Sequence, residues 1–129
     1  MKTTAIKQSI IFSGTPRQIY ELWMDSKKHA SFTNGAVRMS KTVGGVFSTF
    51  DGWATGVNIE LIKNKKIVQT WRGDDWPTGH YSTMTINLLP VKNGTKLTFT
   101  QTAVPFSLAK DVADGWRVYY WGPMKEALG

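Results

Sequence analysis

The sequence predicts an α+β protein, in which a curved antiparallel sheet of about six to seven strands wraps around one long C-terminal helix. Two short helices are expected after the first strand. Three observations lead to this prediction. From residue 36 to residue 101, apolar and polar residues alternate, as they do in antiparallel strands with one covered face. Helix-start signals directly follow the first apolar segment. From Phe106 to Leu128, large apolar residues recur every four positions.

The N-terminal part predicts one strand and two helices. Ala5–Phe12 is rich in isoleucine and phenylalanine and is typical of a strand. Thr15 is a suitable N-cap, a proline follows it directly, and Gln18 is placed to complete a capping box. A second short helix is predicted for Ser26–Phe32, and Asn34 with the glycine after it ends that helix.

The middle of the chain predicts short strands separated by turns. Val46–Phe50 and Lys66–Arg72 each indicate a strand, with glycine, aspartate or asparagine in the turns beside them. Between them, the apolar residues of Val57–Leu61 alternate with Asn58 and Glu60, and Glu60 is expected to face outward.

The clearest pair of strands follows. In Met84–Leu88 every second residue is apolar, and Leu97 and Phe99 repeat that pattern in the next strand. Asn93–Gly94 between the two strands is a strong hairpin signal. The alternation predicts that one face of this hairpin is covered and that the other faces water.

A long C-terminal helix supplies the cover. Its apolar stripe consists of Val112, Trp116, Tyr120 and Met124, widened by Leu108, Tyr119 and Ala127. Pro123 lies inside this pattern, and a proline in a helix interior costs about 3 kcal/mol. We therefore expect a kink or a helix end near Trp121, followed by a final short turn.

Length and composition narrow the class of protein. The 129 residues suit one domain, residues 1–129. The absence of cysteine excludes disulfides, thiol catalysis and cysteine-based zinc sites. No signal peptide and no apolar run of about 20 residues is present, so a cytoplasmic protein without membrane contact is predicted. With only two histidines, His29 and His80, no metal site and no cofactor is expected.

The charge balance favours an anionic partner. Sixteen lysines and arginines against nine acidic residues make this a basic protein with a net charge of +7. The lysines are dispersed and accompany no nucleic-acid-binding motif, so specific binding to nucleic acid is not predicted. An acidic protein is the favoured partner class.

The segment IVQTWRGDDWPTGHYS, residues 67–82, allows two interpretations. In the structural one, Trp71 and Trp76 pack together at the end of the sheet and the residues between them form a loop. In the functional one, the loop forms a lip over a cleft, where Trp76 and His80 contact a ligand or partner. A pairing of His80 with Ser82 as a nucleophilic couple is a third, weaker hypothesis.

Four motifs occur in order along the chain: Gly-Gly-x-Phe at Gly44–Phe47, Ile-Val-x-x-Trp-Arg at Ile67–Arg72, Trp-Pro-x-Gly-His at Trp76–His80, and Gly-Trp-x-x-Tyr-Tyr at Gly115–Tyr120. Together they resemble the C-terminal domain of the activator of heat-shock protein 90 ATPase family. That domain belongs to the START-like, helix-grip superfamily. The resemblance covers nearly the whole chain.

The resemblance implies a stress-related, co-chaperone-like interaction module that is not an enzyme and has no catalytic residues. Its implied partner is a chaperone of the heat-shock protein 90 type. Full-length members carry a separate N-terminal domain, for which these 129 residues leave no room. The superfamily also implies two alternatives, a carrier of a small hydrophobic ligand and, more weakly, a polyketide-cyclase-like enzyme.

A helix gripped by a sheet leaves a cleft in which ligands bind. The residues predicted to line such a cavity are Trp23, Phe47, Trp71, Trp76, His80, Met84, Phe99, Trp116 and Tyr120.

Overall fold

Seven antiparallel strands form one curved sheet, and the computed structural model describes the whole chain from Met1 to Gly129. Their spatial order is β1-β7-β6-β5-β4-β3-β2, so β1 and β2, which follow each other in the chain, form the two edges of the sheet. The predicted sheet is confirmed. The strands are β1 Thr3–Phe12, β2 Arg38–Met39, β3 Val46–Thr49, β4 Ala54–Ile62, β5 Lys66–Gly73, β6 Ser82–Val91 and β7 Gly94–Pro105.

The β6–β7 hairpin forms as its alternation predicts. Ile86 pairs with Phe99 and Leu88 with Leu97, and all four side chains are buried on the face that the helix covers. Asn93 adopts the left-handed conformation, with φ of 64°, that a tight hairpin turn requires.

Two short helices, α1 Pro16–Met24 and α2 Ser26–Thr33, connect β1 to β2. The predicted capping box is present: the Gln18 N–H donates to the Thr15 hydroxyl at 3.1 Å, and the Thr15 N–H donates to the Gln18 side chain at 2.8 Å. Asn34 ends α2 in the left-handed conformation.

Strand β4 departs from simple alternation. Asn58 is buried in phase with Ala54 and Gly56, and Ile59 is 49% exposed. The pairing with β5 shifts register between Asn58 and Glu60, and beyond this bulge Leu61 packs against the core. The buried Asn58 amide donates to the carbonyl oxygens of Ser40 and Thr42 at 2.7 and 3.0 Å. The expectation that Ile59 belongs to the apolar face is therefore wrong, because Ile59 directly follows the inward-facing Asn58 and lies at the bulge.

The C-terminal helix runs without interruption through Pro123. A 3₁₀ turn, Phe106–Leu108, leads into α3 Ala109–Trp116, a π-helical segment Arg117–Trp121, and α4 Gly122–Leu128. In the π-helical segment the Gly122 N–H donates to the Arg117 carbonyl, five residues earlier. Pro123 thus falls in the first turn of α4, where its missing N–H is not needed. The helix does not end near Trp121 as one alternative expected.

The wider helical turn also changes which aromatic residues face the sheet. Tyr119, which straight α-helical periodicity adds to the apolar stripe, is 59% exposed. Trp121 is buried in its place. Trp116, Tyr120 and Met124 remain buried as the stripe predicts.

Three indole–amide hydrogen bonds attach the helices to the sheet. In each, a buried tryptophan N–H donates to the side-chain oxygen of a strand glutamine. The pairs are Trp23 with Gln69 at 3.1 Å, Trp116 with Gln101 at 2.8 Å, and Trp121 with Gln8 at 2.6 Å. They join α1 to β5, α3 to β7, and the π-helical segment to β1. Because a buried indole N–H needs a partner, these bonds select one position of the helices on the sheet.

Candidate functional site: an aromatic cleft and a basic edge

A cleft of about 460 Å³ opens between the C-terminal helix and one end of the sheet. The sheet side is formed by Trp71 near the end of β5, by the loop that precedes β4 and by the loop that follows β5. The helix side is formed by residues between 108 and 120. Nine of the twelve lining residues are hydrophobic. The lining residues are Phe50, Trp53, Trp71, Asp75, Trp76, Leu108, Asp111, Val112, Gly115, Trp116, Tyr119 and Tyr120.

The nine residues predicted to line a cavity separate into two groups. Trp71, Trp76, Trp116 and Tyr120 line this cleft. Trp23, Phe47, Met84 and Phe99 lie elsewhere, in the packed core, and are nearly inaccessible to solvent. His80 is half-buried beside the cleft loop and is not among the lining residues.

Sequence reasoning missed the rim of the cleft. Phe50, Trp53 and Tyr119 lie there, and Trp53 and Tyr119 are 41% and 59% exposed. An exposed tryptophan next to the Asp51–Gly52 turn was the available signal, because a large aromatic residue at a turn has little core to enter.

Three indoles in edge-to-face contact form one wall. The ring centroids of Trp53 and Trp71 are 5.7 Å apart, and those of Trp71 and Trp76 are 5.3 Å apart. Gly73 makes the arrangement possible, because a Cβ atom there would lie 2.8 Å from the Trp53 ring. Trp71 also contacts Trp116 of α3 at 5.4 Å, which joins this wall to the helix.

The loop between β5 and β6 holds Trp76 in this wall. The Arg72 guanidinium donates to the Trp76 carbonyl at 2.8 Å, and the Trp76 N–H donates to the Gly73 carbonyl at 3.0 Å. His80 Nε2 donates to the Ala103 carbonyl at 2.7 Å and ties the loop to β7. The tryptophan-rich segment is therefore a braced loop at the sheet end, with Trp76 lining the cleft.

The hypothesis of a nucleophilic His80–Ser82 pair is wrong. The Ser82 hydroxyl donates to the Trp71 carbonyl at 2.7 Å and accepts from the Gln101 amide at 2.9 Å. Both of its hydrogen bonds lie in the core, and His80 bonds to the backbone of a different strand.

The six tryptophans form two groups of three, according to whether the indole N–H has a hydrogen-bond partner within the protein. The three that attach the helices to the sheet each donate to a glutamine. The indole N–H groups of Trp53, Trp71 and Trp76 have no partner within the protein, and all three residues line the cleft. Trp71 and Trp76 are buried, yet neither indole nitrogen is among the fully buried polar atoms without a partner, so both nitrogens reach solvent-accessible space. Trp53 is itself 41% exposed.

The cleft has an acidic lining. Its only charged residues are Asp75 and Asp111, both exposed. Neither carboxylate forms an ion pair, whereas Glu21, Asp25, Glu60 and Asp114 all do. The cleft thus combines aromatic surface with unpaired negative charge.

A buried histidine lies directly behind the cleft. His29 Nδ1 donates to the Trp23 carbonyl at 2.8 Å, which leaves Nε2 to accept from the Tyr120 hydroxyl at 2.9 Å. Burial lowers the pKa of His29 to about 4, and the bond to the Trp23 carbonyl opposes that change only in part. Burial also raises the pKa of Tyr120, with a smaller opposing effect from Thr49. Both groups are therefore neutral near pH 7.

The opposite end of the sheet is basic. Lys63, Lys65 and Lys92 lie in the β4–β5 and β6–β7 turns, and the Leu88 N–H donates to the Lys65 carbonyl, which brings these turns together. Lys66 and Lys96 point outward from the adjoining strand ends.

Three exposed apolar residues lie among these lysines. Ile11 and Leu89 flank Lys96 across the strands, and Ile62 pairs with Lys66. The only carboxylate here is Glu60, which pairs with Lys66 at 3.0 Å. We call this surface the basic edge; its residues are Ile11, Ile62, Lys63, Lys65, Lys66, Leu89, Lys92 and Lys96.

No three histidine, aspartate or glutamate side chains lie close enough together to hold a metal ion. None of the helices is both long and apolar enough to cross a bilayer.

The family described as "Activator of Hsp90 ATPase homolog 1-like protein" matches residues 13–129. The chain belongs to this family. The resemblance inferred from the four motifs is therefore confirmed, and so is the helix-grip, START-like fold that it implies.

Family relatives align with almost all of the chain. A Schizosaccharomyces pombe protein described as uncharacterized is 30% identical over 129 residues. The activator of 90 kDa heat shock protein ATPase homolog 2 of Mus musculus is 28% identical over 98% of this chain. The homolog 1 of Homo sapiens is 27% identical over 92% of it. The chain spans only 35–38% of the length of these three relatives.

Solved structures extend the likeness to three dimensions. An HSP90 activator from Plasmodium falciparum superposes with a TM-score of 0.92 at 25% identity, over 97% of this chain and 96% of that one. A protein described as the Aha1 dimer from Colwellia psychrerythraea superposes with a TM-score of 0.83 over 97% of this chain and 96% of that one. At 20% identity, the second likeness supports the fold alone.

Proposed function

We propose that this chain is a non-enzymatic, co-chaperone-like module that binds a chaperone of the heat-shock protein 90 type. The observation that carries the proposal is family membership over residues 13–129, with relatives that are named activators of that chaperone's ATPase. The likeness to an HSP90 activator of similar chain length supports binding by a module of this size. Binding is the contribution that we assign to these residues.

The basic edge is the surface that we assign to this contact. Five lysines and one carboxylate give it a strong positive charge, which attracts an acidic partner and accelerates encounter. Ile11, Leu89 and Ile62 are 61%, 59% and 43% exposed, so the same surface offers apolar area for burial. An acidic protein with an apolar centre to its contact patch fits both properties.

The hydrogen bonds support a role without catalysis. His29 and Ser82 are buried and bonded within the core, and His80 braces a loop. Both histidines and Ser82, the candidates for general-base or nucleophilic catalysis, are thus engaged in holding the fold.

A binding measurement with purified heat-shock protein 90 tests the proposal. Lys65→Glu, Lys92→Glu and Lys96→Glu combined change three exposed lysines of the basic edge. A matched control combines Lys27→Glu, Lys110→Glu and Lys125→Glu, which are also exposed and change net charge equally. We expect the first variant to weaken binding by about tenfold or more, since each exposed charge contributes up to about 1 kcal/mol.

Wild-type binding should also weaken as salt rises above about 0.15 M, because the Debye length falls to about 8 Å there. Equal weakening by both triple variants would indicate unspecific attraction and reject the basic edge. No measurable binding of the wild-type chain at low salt would reject the chaperone-binding role itself.

A second candidate function is the binding of a small apolar ligand, and the cleft is the observation that favours it. Its volume of about 460 Å³ lies within the usual range for small-molecule sites. Gly115 offers a way to fill it, since a Cβ atom there would meet only the Tyr119 ring, at 3.8 Å. Native mass spectrometry of freshly purified protein should detect a co-purified apolar molecule that Gly115→Leu excludes. Identical spectra without ligand for both proteins would reject a carrier role.

A further inference from the structure

The cleft carries a charge opposite to that of the molecule. The chain has sixteen lysines and arginines and a net charge of +7, yet no basic residue lines the cleft. Its two charged lining residues are Asp75 and Asp111, one on the β5–β6 loop and one in α3. Two separate elements therefore bring negative charge to the same opening.

These carboxylates differ from Asp114, which lies in the same helix as Asp111. Asp114, one turn after Asp111, bonds to Lys110 at 3.4 Å and to Arg117 at 3.2 Å. Asp111 and Asp75 have no cationic side chain within the 4.0 Å of an ion pair. Their charge is available to a ligand because no neighbouring residue neutralises it.

The walls favour a cation for a second, independent reason. The faces of indole and phenol rings attract cations, most strongly when the cation is partly removed from water. Trp53 and Tyr119 present such rings at the rim, and Trp71, Trp76 and Tyr120 present them deeper in the cleft. The aromatic rings and the carboxylates therefore complement the same kind of ligand.

The size and chemistry of the cleft exclude a bare metal ion as its occupant. About 460 Å³ suits an organic molecule, and the mostly hydrophobic lining lacks the convergent oxygen ligands that hard cations need. We propose that the cleft binds a small organic cation, a substituted ammonium group carried on an apolar body. This proposal rests on the second candidate function, ligand binding in the cleft, and specifies the class of ligand.

Two isosteric probes separate charge from shape. Phenyltrimethylammonium and tert-butylbenzene have nearly the same form, but only the first is charged. Titration of the full chain is followed by the NMR signals of the six indole N–H groups. We expect phenyltrimethylammonium to shift the signals of Trp53, Trp71 and Trp76, which line the cleft and have no internal partner. Its affinity should exceed that of tert-butylbenzene by about tenfold.

Charge-neutral variants test the carboxylates. Asp75→Asn with Asp111→Asn preserves shape at two exposed positions, and the preference for the ammonium probe should fall to about twofold. Asp74→Asn with Glu126→Gln is the matched control, because both residues are exposed, neither lines the cleft, and net charge changes equally. That control should keep the wild-type preference.

The possible results distinguish failure of the cation preference from failure of ligand binding in the cleft. Equal affinity for both probes would overturn the cation preference and leave ligand binding in the cleft intact. An undiminished tenfold preference in the Asp75→Asn, Asp111→Asn variant would overturn the role that the inference gives to the two carboxylates. Failure of both probes to shift the cleft indoles would overturn the inference together with the carrier role.

Discussion

Replacing His29 should remove a large part of the acid sensitivity of this fold. The ring is fully buried, with Nδ1 bonded to the Trp23 carbonyl and Nε2 to the Tyr120 hydroxyl. Around it lie the rings of Trp23, Phe32 and Tyr120, and the Tyr120 phenol is the only other titratable group in contact. No carboxylate is placed to stabilise an imidazolium ion there.

The direction and size of this pH effect on stability follow from the difference between the pKa values of His29 in the folded and unfolded states. Burial lowers the pKa of His29 from 6.5 to about 4 in the folded protein. Above pH 6.5 neither the folded nor the unfolded state binds this proton, so the stability is fully present. Between pH 6.5 and about 4 only the unfolded state binds it, and unfolding becomes easier by about 1.4 kcal/mol per pH unit. The free energy of unfolding should therefore fall by roughly 2 kcal/mol from about pH 7.5 to about pH 5 on account of His29.

Urea denaturation at both pH values measures this difference. His29→Gln destabilises the protein at every pH. Between about pH 7.5 and about pH 5, however, the free energy of unfolding of the variant should fall by roughly 2 kcal/mol less than that of the wild type. His80→Gln controls for the removal of the other histidine. An unchanged pH dependence in His29→Gln would refute the reasoning. So would an NMR titration in which His29 gains its proton near pH 6.5.

Three further substitutions test the local structure, each by urea denaturation. Gly115→Ala should stabilise the protein by about 0.5–1 kcal/mol, because a helical glycine is unfavourable and the new methyl group meets only a ring at 3.8 Å; destabilisation would contradict the open space beside it. Gln101→Leu should cost about 1–3 kcal/mol, because it leaves the buried Trp116 N–H without an acceptor; a neutral effect would show that water replaces the amide. Thr15→Ala should cost about 1 kcal/mol through loss of the capping box with Gln18, and no loss would indicate a frayed helix end.

Most of the fold could be predicted because its signals are local. The capping box at Thr15, the hairpin turn at Asn93 and the alternation around Phe99 each depend on residues only a few positions apart. Strand β4 could not be predicted in the same way. A bulge adds one residue to one partner of a pair, and only the pairing with β5 reveals where it falls.

The candidate cleft was predicted less well than the fold. Trp71, Trp76, Trp116 and Tyr120 were named and line it, but the position of Tyr119 was not anticipated. Straight α-helical periodicity places Tyr119 with the buried stripe, and the π-helical turn brings Trp121 there instead. Trp121 has an indole N–H that donates to Gln8 of β1 across the sheet, and that contact is visible only in the tertiary structure.

The sequence by itself determined the order of the elements, the β6–β7 hairpin with its covered face, and the family. The elements follow from turn residues, caps and periodicity, which act over distances of a few residues, and the family follows from the resemblance carried by the four motifs. The tertiary structure alone decided which tryptophans are tied to glutamines and which three remain free around a cleft. It also placed Asp75 and Asp111 at one opening and the lysines of two separate turns at the other end. These groupings join residues that are distant along the chain, and only the pairing of strands and the seating of the helix bring them together.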